Sequence, residues 1–143
     1  LVYISNISLF NQYYNNGYNK FISDLTYFNY WVNLQCFKHA PIILIFTGYQ
    51  LFTKKIMNNN IDITHHIPEF IDRSTNNSDK VLHLKEYIRD KYIFQNMYLE
   101  RDIFVHFCNE SRDKNAVNKV WSHLFNDICT CVVNYSLSKV GLD

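Results

Sequence analysis

The chain has 143 residues, 48% of them hydrophobic and only 19% charged, with a net charge of +1. That is one domain's length with enough apolar material for a core, which excludes a disordered chain. A near-neutral balance gives no field to steer the protein toward nucleic acid. The only glycines are Gly17, Gly48 and Gly141. Neither a Walker-type phosphate loop nor a dinucleotide fingerprint can be written with glycines at these positions. Asn, Ile, Tyr, Phe and Lys abound, and Ala40 and Ala116 are the sole alanines. This is the signature of A/T-rich codons, so the runs Asn15-Asn16 and Asn58-Asn59-Asn60 read as padding.

Leu1 to Ser8 is apolar and β-branched and predicts a strand. A chain whose first residues already read as a strand is expected to be incomplete. No signal-peptide pattern is visible. Asn11 to Lys20 is polar, contains Gly17 and reads as a loop. Phe21, Leu25, Phe28, Val32 and Cys36 recur at helical spacing and predict a helix over 21–37. Pro41 to Phe46 is the longest apolar run. It is too short to span a bilayer, and it suits a strand buried on both faces of a parallel sheet.

Leu51 to Met57 predicts a short helix, and Asn58 to Asn77 a long irregular connection containing Pro68. Ser78 is placed to cap the next helix, whose stripe is Val81, Leu84, Ile88 and Tyr92. Asp102 to Phe107 predicts a third strand. The last helix starts near Asn115, with Val117, Val120, Trp121, Leu124, Ile128 and Val132 on one face and Gly141 as a stop. Strands alternating with helices imply an α/β fold with parallel strands, right-handed crossovers and helices on both faces. The open edge of the first strand carries no gatekeeping proline, which predicts a marginal folder.

Cys36, Cys108, Cys129 and Cys131 are too few and too scattered for a disulfide framework, and they read as buried free thiols of a cytosolic protein. Neither His65-His66 nor His106 with Cys108 has a metal-ligand spacing, so surface histidines and no metal are expected.

Several blocks, taken together, resemble one family. Pro41-Ile-Ile-Leu-Ile-Phe-Thr-Gly-Tyr-Gln-Leu-Phe52 is similar to the "SIILFLNKKDLF" segment of heterotrimeric G-protein alpha subunits. Leu1 to Gln12 resembles "VIYCVSLSDYDQ", and Phe28 to Phe37 resembles "FDSICNNKWF". Ile67 to Phe70 is similar to "FPEY", Glu86 to Lys91 to "AYIQAKF", Arg101 to Phe107 to "KEIYTHF" and Lys139 to Asp143 to "KDCGLF". The blocks keep the family's order and cover nearly the whole chain.

The resemblance implies that residues 1–143 are a partial Ras-like domain. This is the C-terminal half of its doubly wound P-loop NTPase sheet, about three parallel strands with about four flanking helices. The family's phosphate loop, helical domain, switches, "DVGGQ" motif, Mg²⁺ ligands and catalytic arginine all lie upstream of the matched part. The amino-terminal helix that binds the beta-gamma dimer, with its lipid anchors, also lies upstream. The family's cofactors are GTP or GDP with Mg²⁺. None is expected here, nor GTPase activity from this chain by itself.

Two guanine-reading motifs of the family fall inside the match. At Asn-Lys-x-Asp this chain has Thr47, Gly48 and Gln50. Gln50 offers no charged acceptor pair to the guanine edge, and Gly48 has no stem to lay over the base. A hydrogen bond to a charged group is worth roughly 1.5–3 kcal/mol. Losing two costs about 3–6 kcal/mol, or about two to four decades of affinity. At Thr-Cys-Ala the chain has Cys108-Asn109-Glu110-Ser111, so Ser111 or Glu110 stands at the backbone donor, depending on the gap. Without the base-reading groups, Thr47 to Gln50 is a plain turn after a strand.

The family's last helix and tail enter an activated G-protein-coupled receptor. Here the receptor-facing segment is Tyr135 to Asp143, in which Leu137, Gly141 and Leu142 keep the family's pattern. Val140 stands where inhibitory-class subunits carry a modifiable cysteine, and Asp143 replaces an apolar terminus. The resemblance therefore implies a cytoplasmic signal transducer, held at the inner face of the plasma membrane only through partners. Its receptor contact is the tail, and contact with the beta-gamma dimer is not expected. The alternatives are a working GTPase alpha subunit seen as its C-terminal portion and a degenerate fragment without selected activity.

Overall fold

A computed structural model describes residues 1–58, 61–108 and 114–139. Among these residues three strands form one parallel sheet in the order β1 (Val2–Asn6), β2 (Ile42–Thr47), β3 (Ile103–Phe107). Val2 pairs with Ile43 and Asn6 with Thr47; Ile42 pairs with Ile103 and Phe46 with Phe107. Among the described residues, five α-helices connect and cover the strands: α1 (Lys20–Val32), α2 (Tyr49–Met57), α3 (Ile63–His66), α4 (Asn77–Ile93) and α5 (Lys114–Lys139). The fold is therefore α/β, as the alternation of elements predicts.

The central strand is buried along Ile42–Phe46. Its alternation divides the core. Ile42, Leu44 and Phe46 face the larger cluster, which takes Phe21, Phe28 and Val32 from α1, Phe52 and Ile56 from α2, and Val81, Leu84, Ile88 and Tyr92 from α4. The predicted α4 stripe is buried in full. Ile43 and Ile45 face the opposite way, onto Leu124, Ile128 and Cys131 of α5.

Several boundaries differ from the sequence reading, each for a local reason. β1 ends at Asn6, because the Asn6 carboxamide accepts from the Ser8 N–H (3.0 Å) and Oγ (2.7 Å) and turns Ile7–Leu9 into a 3-10 turn. α1 ends at Val32. Asn33 leaves the helix to donate to the Gln95 carbonyl and accept from the Met97 N–H, so Cys36 falls on a separate 3-10 turn and is exposed. α2 begins two residues earlier than predicted, at Tyr49. The long connection holds α3, capped by Asp62.

α4 is capped by Asn76 and not by Ser78. The Asn76 Oδ1 accepts from the Asp79 N–H at 3.0 Å, while its Nδ2 donates back to the Asp79 carboxylate at 2.9 Å. On α5, Leu124 is buried and Ile128 half-buried, but Trp121 and Val132 point to solvent. The three strands cover too narrow a surface for the whole predicted stripe. The side chains of Val117 and Val120 and the stop at Gly141 lie outside the described residues. The thiols are not buried as expected: Cys36 and Cys129 are exposed, and Cys108 and Cys131 are half-buried.

Candidate functional site

In open parallel sheets ligands bind outside the carboxyl ends of the strands. Here those ends are Asn6, Thr47 and Phe107, and at the ends of β1 and β2 the described residues pack closely against one another. Gly48 caps α2 with φ +74°, in the left-handed region that glycine alone enters at no steric cost. A Cβ on Gly48 would lie 2.2 Å from the Asn6 Oδ1 and 3.0 Å from the Ser8 Oγ. Gly48 is thus required twice, for its backbone angle and for the close approach of the β1 end.

The neighbours are equally committed. The Thr47 hydroxyl donates to the Ser5 carbonyl at 3.3 Å. The Tyr49 ring stacks on Phe52 and meets Phe107 edge-on, both at 6.1 Å between centroids. The Lys85 Nζ stands 4.4 Å over the Phe107 ring and 5.4 Å over Tyr49, a cation held by two aromatic faces. The Lys55 Nζ donates to the Ser8 carbonyl (2.8 Å) and the Asn11 carboxamide (2.6 Å), and burial lowers its pKa. Gln50 is half-buried on the first turn of α2.

Of the residues singled out from sequence, Thr47, Gly48 and Gln50 therefore lie together at this end of the sheet. Ser111 and Glu110, the other base-reading candidates, lie outside the described residues. Leu137 is exposed on the last turns of α5. Gly141, Leu142, Val140 and Asp143 lie outside the described residues.

Two polar centres have no sequence signal, because their members are far apart in the chain. In the first, the Tyr92 hydroxyl reaches from α4 under β1 to bond Ser5 Oγ (2.8 Å) and the Asp24 carboxylate (2.5 Å). The Tyr3 hydroxyl donates to the other oxygen of that carboxylate at 2.9 Å. Burial, then the Asp24 charge, raises both phenol pKa values, so both stay protonated donors.

The second centre is Arg101, buried just before β3. Its guanidinium donates to the carbonyls of Phe37 (2.8 Å) and Val32 (2.6 Å) and to Asn96. It ties the loop after α4 to the end of α1, and burial lowers its pKa. A cavity of about 650 Å³ opens beside it, lined by Lys38, His39, Glu100, Asp102, Cys131 and Asn134 among others. The Arg101 bonds to Val32, Phe37 and Asn96 are structural, which suits a brace better than a ligand clamp.

Among the described residues there is no cluster of His, Cys, Asp and Glu able to hold a metal ion. Nor is any helix among them long and apolar enough to cross a membrane. No protein-family model matches the sequence, and no curated protein is significantly similar to it.

Proposed function

We propose that this chain is a G-protein-alpha-like signalling module that does not read guanine nucleotide and that acts through α5 and the tail beyond it. The observation that carries the proposal is the packing of Gly48. The position that would carry a stem over the base has no room even for a Cβ, because Asn6 and Ser8 occupy that space. The Thr47 hydroxyl is turned back onto Ser5, and Tyr49 is packed into the aromatic cluster. The strand order and the helix that follows each strand are compatible with half of a Ras-like sheet.

With the base-reading end closed, the segment that needs no nucleotide chemistry is the helix end. A helix docks into a receptor groove through a few apolar anchors. By resemblance these are Leu137, exposed on α5, and Leu142. Titration with a fluorescent GTP analogue is the first test. No guanine-selective binding is expected, and micromolar selective binding would refute the closed site. A synthetic peptide of residues 133–143, assayed for stabilising an active receptor from the same organism, tests the tail. Leu142→Asp should abolish its effect, and an inert peptide would refute the receptor role.

A further inference from the structure

The loop between β1 and α1 is a closed strap. The Lys20 N–H donates to the Gln12 carbonyl at 2.8 Å and the Lys20 Nζ to the Gln12 carboxamide at 3.1 Å, which joins the two feet. Between them Tyr13 bridges Asn19 in the antiparallel sense. The Tyr14 N–H donates to the Tyr18 carbonyl and the Gly17 N–H to the Tyr14 carbonyl, both at 2.9 Å. The Asn19 foot is fixed, because its Oδ1 caps α1 and its Nδ2 donates to the Phe10 carbonyl at 2.8 Å. Among the described residues, one hydrogen bond carries residues 13–18 beyond the strap. It joins the Tyr13 hydroxyl to the His66 Nδ1 at 2.9 Å.

His66 is a poor place for a proton. It ends α3, with the Tyr13 ring centroid 5.7 Å and the Phe10 ring centroid 6.2 Å from its own, so strap and Phe10 keep water from part of the imidazole. The Lys55 Nζ of α2 stands 5.9 Å over the same Phe10 ring, and the His65 ring lies 5.1 Å from His66. Asp62, the cap of α3, pulls the other way. Burial first, then His65 and Lys55, outweigh it and lower the His66 pKa. A phenol accepts as well as donates, so a proton on Nδ1 reverses the bond to Tyr13 without abolishing it. What opposes the proton is the loss of water, and lifting the strap restores that water.

We infer that residues 12–20 form a proton-released latch: uptake of a proton at His66 opens residues 13–18 while the sheet stays folded. Neutral His66 suits the closed strap, and the imidazolium suits the open one, in which it is hydrated. The closed form is therefore fully favoured above about pH 6.5 and loses population as pH falls below that value. Such an opening is local, since it breaks one side-chain bond and leaves both feet tied. It releases Tyr13 beside Tyr14 and Tyr18, which are already exposed, as a mobile aromatic tip. All the groups involved lie between Phe10 and His66, so the inference rests neither on the nucleotide reading nor on what pairs with β1.

Hydrogen exchange of the full chain at about pH 7.5 and about pH 5 tests it, with each rate corrected for the intrinsic effect of pH. The Tyr14 and Gly17 amides should lose protection by about threefold or more at the lower pH, while the amides of β2 keep theirs. His66→Gln, which has no ring to protonate, should remove that dependence. The reciprocal measurement follows the His66 ring by NMR. Tyr13→Ala, at an exposed position outside the core, should raise its titration midpoint toward the ordinary histidine value, because coupling between strap and proton acts both ways. Equal strap protection at both pH values would overturn the inference. So would a pH dependence that survives His66→Gln, a loss shared equally by β2, or a midpoint unmoved by Tyr13→Ala. If Tyr13→Ala does not fold, exchange in the parent and in His66→Gln decides.

Discussion

Replacing Gly48 by Ala adds one methyl group where the structure leaves none room. The left-handed backbone costs a residue with a Cβ about 1–2 kcal/mol. The new Cβ would also meet the Asn6 Oδ1 at 2.2 Å, so the Asn6 carboxamide must move and give up its bonds to the Ser8 N–H and Oγ. Losing such a cap costs about 1 kcal/mol more. Gly48→Ala should therefore destabilise the chain by about 2–3 kcal/mol, a large share of the roughly 5–15 kcal/mol that holds a domain folded.

Two controls separate the contributions. Gly17 also has positive φ, +81°, but a Cβ there meets nothing within 4 Å, so Gly17→Ala should cost only the backbone part. In an Asn6→Ala background the clash with the carboxamide is gone. Gly48→Ala should then cost about 1 kcal/mol less than in the parent, a coupling readable from a double-mutant cycle. Urea unfolding followed by circular dichroism measures all four values. Equal losses for Gly17→Ala and Gly48→Ala, or additive losses at Asn6 and Gly48, would refute the close packing of the strand end against the turn.

Tyr92→Phe deletes the hydroxyl that joins Ser5 to Asp24 and leaves the buried Ser5 Oγ without that partner, so a loss of about 1–3 kcal/mol is expected in the same unfolding assay. Acidification gives a further check through His66. Its pKa is lowered by burial and by the neighbouring His65 and Lys55, against the pull of Asp62, so the folded chain resists a proton that the unfolded chain takes up at about 6.5. Stability should be full above that value and fall as pH drops below it, and His66→Gln should flatten the melting temperature over that window. Asp72 acts at lower pH. Burial raises its pKa, but bonds from Ser74 and Lys80 outweigh that and hold it down to about 2, so its contribution is lost only as pH falls from about 4 toward that value.

Hydrophobic period and turn chemistry, both local, were enough to predict the class of fold. The continuous run Pro41 to Phe46 marks a strand buried on both sides, and β2 is such a strand. Val81, Leu84, Ile88 and Tyr92 repeat at helical spacing, and all four are buried on α4. Thr47 to Gln50 read as a plain turn after a strand, but Thr47 ends β2, Gly48 is the left-handed cap of α2, and Tyr49 and Gln50 are already helical. What the one-dimensional pattern does not carry is contact between distant residues. α1 stops at Val32 because Asn33 is claimed by Gln95 and Met97, more than sixty residues away.

The same distinction runs through α5 and the polar centres. Its apolar positions predict a buried stripe from Val117 to Val132, yet the width of the sheet decides which of them are covered. Three strands give shelter to Leu124 and Ile128 and leave Trp121 and Val132 in solvent. The bonds of Tyr92 to Ser5 and of Arg101 to Val32 span 87 and 69 residues, distances over which no local periodicity operates. Composition and spacing determine which segments are strands and helices, because burial of one face is a property of the segment. Only the assembled sheet decides where Gly48 meets Asn6 and which positions of α5 are covered, because those depend on how the segments are placed against one another.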